Sequence, residues 1–137
     1  MVQVLSEHPT LWDDVAAERV SASDVVEEVL RYRSAVTGVG RTPSEPVAVG
    51  GTTLVPGDSV FLSVWSANPD EKIFPAAEHL DPVQGAVAPH IAFGHGAHHC
   101  LGAALARAEL QEGLTALVAR LECPTIAAGS VWRPPLG

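Results

Sequence analysis

Apolar residues recur at helical spacing in three stretches of this chain and alternate along a shorter middle stretch. Leu11, Trp12, Val15 and Ala16 give one face to a helix over 2–18, interrupted by Pro9. A second helix is predicted to begin near Ser23 or Asp24, either of which can cap it, and to run to about Tyr32. Val25, Val26, Val29 and Leu30 turn that helix toward a core, while Glu28 and Arg31, three apart, share a face and can pair. After Gly38 the period changes. Val47-Ala48-Val49, the Gly50-Gly51 turn and Thr52 to Val55 read as a hairpin. Pro56-Gly57-Asp58 marks another turn, and Val60, Leu62 and Val64 then alternate as a half-buried strand. From Asn68 to Ala92 the chain carries Pro69, Pro75, Pro82 and Pro89 with little periodicity. Ile73, Phe74, Leu80 and Val83 scattered through it predict an ordered irregular loop rather than a linker. The last helix is expected over Cys100–Leu121, with Leu110, Leu114, Leu117, Val118 and Leu121 as its stripe and Pro124 ending it. The tail from Thr125 to Gly137 reads as strand or coil. The pattern as a whole is mainly α with small β-sheets, an α+β class, with no visible domain boundary.

Length and charge narrow the picture. The 137 residues suffice for one domain with its own core. With 47% hydrophobic and only 18% charged residues, one apolar face is expected to meet something else. A net charge of −8 without a Lys/Arg cluster argues against nucleic acid. The two cysteines, far apart, make no disulfide framework. No charged opening with an apolar core is present, and no run reaches about 18 apolar residues. The expectation is a soluble cytoplasmic protein that does not enter a membrane.

The chemistry concentrates in Phe93-Gly94-His95-Gly96-Ala97-His98-His99-Cys100-Leu101-Gly102. One cysteine stands at the end of a glycine-rich loop, directly ahead of a helical pattern. Partial positive charge and unpaired N–H groups at a helix start favour an anionic sulfur. Gly94, Gly96 and Gly102 allow the backbone close to a flat ligand, and Ala103, Ala104 and Ala106 continue that small-residue face. A broad planar cofactor with iron bound by Cys100 accounts for these choices together. Two other readings remain open on the residues alone. The loop can be only a turn and cap holding an inert buried cysteine. Alternatively, His90, His95, His98, His99 and Cys100 could hold zinc, although no spaced second ligand pair follows and Cys123 completes no C-x-x-C.

The loop resembles the haem-binding segment of the cytochrome P450 family, F-x-x-G-x-x-x-C-x-G, with Phe93, Gly96, Cys100 and Gly102 at the fixed positions. Glu28-Val29-Leu30-Arg31 matches the family's E-x-x-R and likewise lies upstream of the loop. The resemblance covers nearly the whole chain and corresponds to roughly the last third of a bacterial member, which makes 1–137 a single partial domain.

That resemblance implies a set of roles. Cys100 matches the thiolate ligand of the iron of haem b. His98 and Arg41 match positions that hold the two propionates, and Phe93 matches the aromatic that packs near the sulfur. Glu28 and Arg31 would be structural, holding the loop before the cysteine through a third basic residue. Here that place reads Glu78-His79-Leu80, so His79 is the expected donor to Glu28, with fewer bonds than an arginine fork. The family's long distal helix, its acid–alcohol pair and its substrate loops have no counterpart in these residues. Two readings follow. In one, the chain is the haem-thiolate part of a monooxygenase acting on a small organic substrate. It would work with a separate chain supplying the N-terminal portion and with a ferredoxin or flavin-type redox partner, and alone it would be a poor oxygenase. In the other, it is a non-catalytic binding or scaffold module derived from that fold, assisting another biosynthetic enzyme.

Overall fold

The computed structural model describes residues 1–83 and 89–131. Two of the expected features, part of the irregular loop (84–88) and the end of the tail with Pro134 and Pro135, lie outside the described residues.

The first expected helix is two. Helix α1 spans Val2–Ser6, and α2 spans Pro9–Ala16 with Pro9 in its first turn. A proline there loses no helical hydrogen bond, so it starts a helix rather than kinking one. Helix α3, Ala22–Tyr32, begins slightly earlier than its apolar pattern suggests. Its cap is Ser21, whose hydroxyl accepts from the Asp24 N–H at 3.0 Å, and Asp24 sits in the first turn where the dipole favours a carboxylate.

Among the described residues, four strands form two small antiparallel sheets. Strand β1 (Gly38–Arg41) pairs with β4 (Val60–Ser63), with Val39 opposite Leu62 and Arg41 opposite Val60. Strands β2 (Val47–Val49) and β3 (Thr52–Leu54) make the expected hairpin through Gly50-Gly51. The alternating strand ends sooner than expected. Val64 begins a short helix α4 (Val64–Ala67), capped by the Ser63 hydroxyl, and Leu62 is exposed rather than half-buried. Val64 is buried, but from a helical turn.

The last helix, α5, covers Ala103–Val118. It starts three residues after Cys100, with Gly102 as the flanking residue, and ends before Leu121, which is exposed. Leu114 is fully buried, and Leu110, Leu117 and Val118 pack beside it. They meet Val4, Leu5, Trp12, Val15, Val25, Val26 and Val29 from α1, α2 and α3 in one apolar core. This arrangement fixes α5 against α3, and so places the loop entering α5 beside β1 and the end of α3. Among the described residues no helix is long and apolar enough to cross a membrane.

Candidate functional site

The site begins with a buried ion pair. Arg31 and Glu28 lie on one face of α3 with side chains wholly removed from solvent. The guanidinium donates two parallel bonds to the carboxylate, Nε to Oε2 and Nη2 to Oε1, both 2.7 Å. Two charges this deep require partners for their remaining donors and lone pairs. Arg31 Nη1 donates to the carbonyls of Asn68 (3.2 Å) and Ala77 (3.0 Å), and Nη2 to that of His79 (3.0 Å). Glu28 Oε1 accepts the Asp81 N–H at 2.9 Å. The Phe74 ring lies 5.2 Å from the guanidinium carbon. One fork thus closes the irregular segment 68–81 onto α3.

His79 does not fill the role expected of it. Its imidazole is 72% exposed and faces Glu78, 3.2 Å away, and its contribution to the cluster is its main-chain carbonyl. The donor expected from a third basic side chain comes instead from the Asp81 backbone. The link onward to the cysteine loop is made by Asn68, whose Oδ1 accepts the Ile91 N–H at 2.9 Å. Nothing in the sequence singles out Asn68, because its carbonyl and its amide oxygen do different work on two distant segments.

Phe93 to Cys100 folds back on itself. The Cys100 N–H donates to the Phe93 carbonyl at 2.9 Å, and the Gly94 N–H to that of Ile91 at 2.9 Å. A single 3-10 turn over Gly96–His98 fills the bend. Gly94 and Gly96 have φ of 76° and 75°, left-handed values that side chains bearing a Cβ avoid. Gly102 is different: its φ is −82°, which any residue adopts. A Cβ built there would meet within 4 Å only the Cys100 sulfur, at 3.9 Å. The protein itself leaves room for that carbon, so the absence of a side chain keeps the sulfur's side open to a ligand. Cys100 is exposed, and Leu101 and Leu105 beside it are exposed as well, an apolar surface around a free thiol.

Cys100 lines a cavity of about 350 Å³ together with Phe93, Gly94 and His98 of the loop, Val39 and Arg41 of β1, Leu30 of α3 and Val64 of α4. The lining is chiefly apolar, with His98 and Arg41 as its basic residues. Arg41 donates only to the Gly40 carbonyl, at 2.8 Å, and is otherwise exposed. Strand β1, which brings Arg41 here, has no signature in the sequence because Gly38 and Gly40 occupy alternate positions along it. The set fits a flat, apolar, dianionic ligand: a soft sulfur donor, an apolar slot, and two basic side chains in its lining. It does not fit zinc. Among the described residues no three His, Cys, Asp or Glu side chains converge on one point. A groove of about 370 Å³ between α1 and 124–131 is lined by no charged or metal-ligating side chain.

His90 belongs to a separate cluster. Its ring is 2% exposed, with Nε2 3.3 Å from Glu27 Oε2. Nδ1 accepts the Ala92 N–H at 3.2 Å, which places the proton of a neutral ring on Nε2. That N–H reaches the carboxylate by distance but is too poorly aligned to count as a hydrogen bond. Burial, chiefly, holds the imidazole below the ordinary histidine value; Glu27 opposes this and Arg107 adds to it. Arg107 of α5 makes a fork to Glu27, Nε to Oε1 at 2.6 Å and Nη2 to Oε2 at 3.0 Å. The Glu27 hydrogen bond, partly offset by burial, keeps the guanidinium firmly protonated.

Known proteins are similar to this chain in sequence and fold. The family described as Cytochrome P450 matches residues 4–135. Luteothin monooxygenase of Streptomyces thioluteus is 38% identical over 96% of this chain and 33% of its own length. Cytochrome P450 130 of Mycobacterium tuberculosis is 47% identical over 74% of the chain and 24% of its own. Among solved structures, the P450 heme domain of Tepidiphilus thermophilus superposes with a TM-score of 0.87 at 34% identity, covering 93% of this chain and 31% of that one. The chain therefore spans about a third of the length of the relatives it matches. The match to the family model, the identity to its relatives and the superposition all cover most of this chain, and the chain belongs to the cytochrome P450 family.

Proposed function

We propose that this chain forms the thiolate side of a haem b site in a monooxygenase that oxidises a small organic substrate. The observation that carries the reading is the cavity in which Cys100, Phe93, His98 and Arg41 meet. Cys100 would ligate the iron. His98 and Arg41 would donate to the propionates, and Gly94, Gly96 and Gly102 would let the macrocycle lie against the backbone. When bound, thiolate-ligated haem supplies oxygen activation, with the sulfur pushing electron density toward O–O cleavage.

The chain's own residues position and shield. The Phe93 carbonyl holds the Cys100 N–H, which fixes the start of the sulfur's side chain. Glu28 and Arg31 keep the segment before the loop from opening. Leu101 and Leu105, exposed here, would be covered by the ligand and by the remainder of a full-length site. Proton delivery, substrate choice and water exclusion would fall to the other two-thirds of a family-sized site, carried by a separate chain or segment. Electrons would enter from a ferredoxin or flavin-type partner docking near the cysteine face.

The competing scaffold reading draws on three observations: no counterpart of the distal helix, the altered residue at His79 and the exposed apolar face. The fork on α3 answers only the second, since it uses the His79 carbonyl and not its ring. The test is the reduced, carbon-monoxide-bound spectrum of the protein after haemin addition, with Cys100→Ala alongside. A red-shifted Soret band that vanishes in the variant is expected. Absence of haem uptake, or a spectrum unchanged by the substitution, would turn the assignment to the scaffold module. In a dialysis assay, His98→Ala and Arg41→Gln should each lose haem about tenfold faster, in line with one charge-assisted hydrogen bond, without changing the ligand type.

A further inference from the structure

The Glu27–Arg107 fork stands apart from the E-x-x-R network, and the proposed haem contacts make no use of it. It joins residues 80 positions apart, from α3 to α5, and what it holds up is a ring. The Arg107 guanidinium carbon lies 4.7 Å from the centroid of Phe93. His90 approaches the same ring at 6.2 Å, tilted by 43°, and His99 meets it edge-on at 6.5 Å. Phe93, half-buried, is therefore contacted from α5, from the segment before the loop and from the loop itself. A guanidinium left to itself beside a half-exposed helix would sample many rotamers. Bidentate pairing removes that freedom and fixes the guanidinium over the ring. The ring's own main chain in turn accepts the Cys100 N–H.

The geometry points to Glu27 and Arg107 as positioning residues that pin the Phe93 ring, and through the Phe93–Cys100 main-chain bond set how the sulfur is presented. The effect on the iron rests on the haem-thiolate reading above; the pinning of the ring does not. The pair is also more than a tie between two helices, because the Arg107 guanidinium lies over Phe93 while its N–H groups engage Glu27. Lysine at this position keeps the charge but loses both the plane and the fork.

The chain contains three phenylalanines, Phe61, Phe74 and Phe93, which permits a direct test. Fluorophenylalanine labelling of the full chain gives one 19F resonance for each, and Phe93→Leu identifies the one in question. In the haem-free chain, Arg107→Lys and Glu27→Gln are each expected to shift the Phe93 resonance toward the solvent-averaged position. Phe74, stacked on Arg31, and Phe61 should hold theirs. A Phe93 resonance unmoved by either variant overturns the proposal. So does a joint movement of all three, which would mean that the fork serves only overall folding. In the haemin-loaded chain both variants should shift the iron reduction potential in the same direction. The double variant should shift it no further than the larger single one, because the two residues act as a unit. A displaced ring with an unchanged potential overturns the link to the sulfur. Failure to take up haem would count against the proposed function, and the 19F shifts alone would then decide whether the fork pins the ring.

Discussion

At the scale of single residues, Arg31 is the most demanding position in the chain. Its five N–H donors are shared among a carboxylate and the carbonyls of Asn68, Ala77 and His79. No other side chain offers that fork. Removing it leaves Glu28 charged and dry, a loss of about 3–5 kcal/mol for a broken buried pair. Arg31→Ala is expected to show a loss of that order in urea unfolding. Arg31→Lys should recover little of it, because an ammonium is a point donor with no plane to span three carbonyls. A lysine variant as stable as the parent would mean that charge alone, and not the fork, holds segment 68–81. The motif made Glu28 and Arg31 legible from the sequence. The partners were not, because main-chain carbonyls carry no residue identity. His79 stands out by being basic, yet contributes the atom that every residue has.

At the scale of elements, α3, segment 89–92 and α5 come together around His90. Burial lowers its proton affinity, with Arg107 of α5 assisting and Glu27 of α3 opposing. The unfolded chain takes up a proton near the ordinary value of 6.5, whereas the folded chain holds His90 neutral to lower pH. The contribution is thus complete above about pH 6.5 and is lost as pH falls below it. Melting temperatures measured from about pH 8 down to about pH 5 should decline below that point, and His90→Asn should flatten the decline. An asparagine oxygen can still accept from the Ala92 N–H. An unaltered profile in the variant would place the acid sensitivity elsewhere. Elements differ in how plainly the sequence writes them. Helices α3 and α5 announce themselves by apolar residues at helical spacing, and the hairpin β2–β3 by its turn. Strand β1 is silent, since glycines alternate along it, yet it delivers Arg41 to the cavity. The Glu27–Arg107 fork is silent for another reason: its partners lie 80 residues apart, beyond any local pattern.

At the scale of the whole molecule, α1, α2, α3 and α5 share one apolar core with Leu114 at its centre, fully buried. Leu114→Ala should cost about 2–5 kcal/mol, the range for a buried leucine whose surroundings cannot collapse. Since α5 carries the cysteine loop at its start, the same variant should also weaken haem retention although Leu114 lies away from the cavity. Normal retention in a destabilised chain would show that the loop is seated by the Arg31 network alone. That network has a consequence for the order of assembly. Its bonds from α3 to segment 68–81 join positions 37 to 53 residues apart, whereas the helices close over short spans. Contacts of long separation form late in folding, and a buried fork cannot form before the helix beneath it is dry. During refolding, helical signal should therefore recover first and the competence to seat a cofactor second. The interval between the two phases should lengthen when Arg31 or Asn68 is altered. The cysteine would wait, reduced and unoccupied, until a clasp rooted on α3 had shut on the segment that precedes its loop.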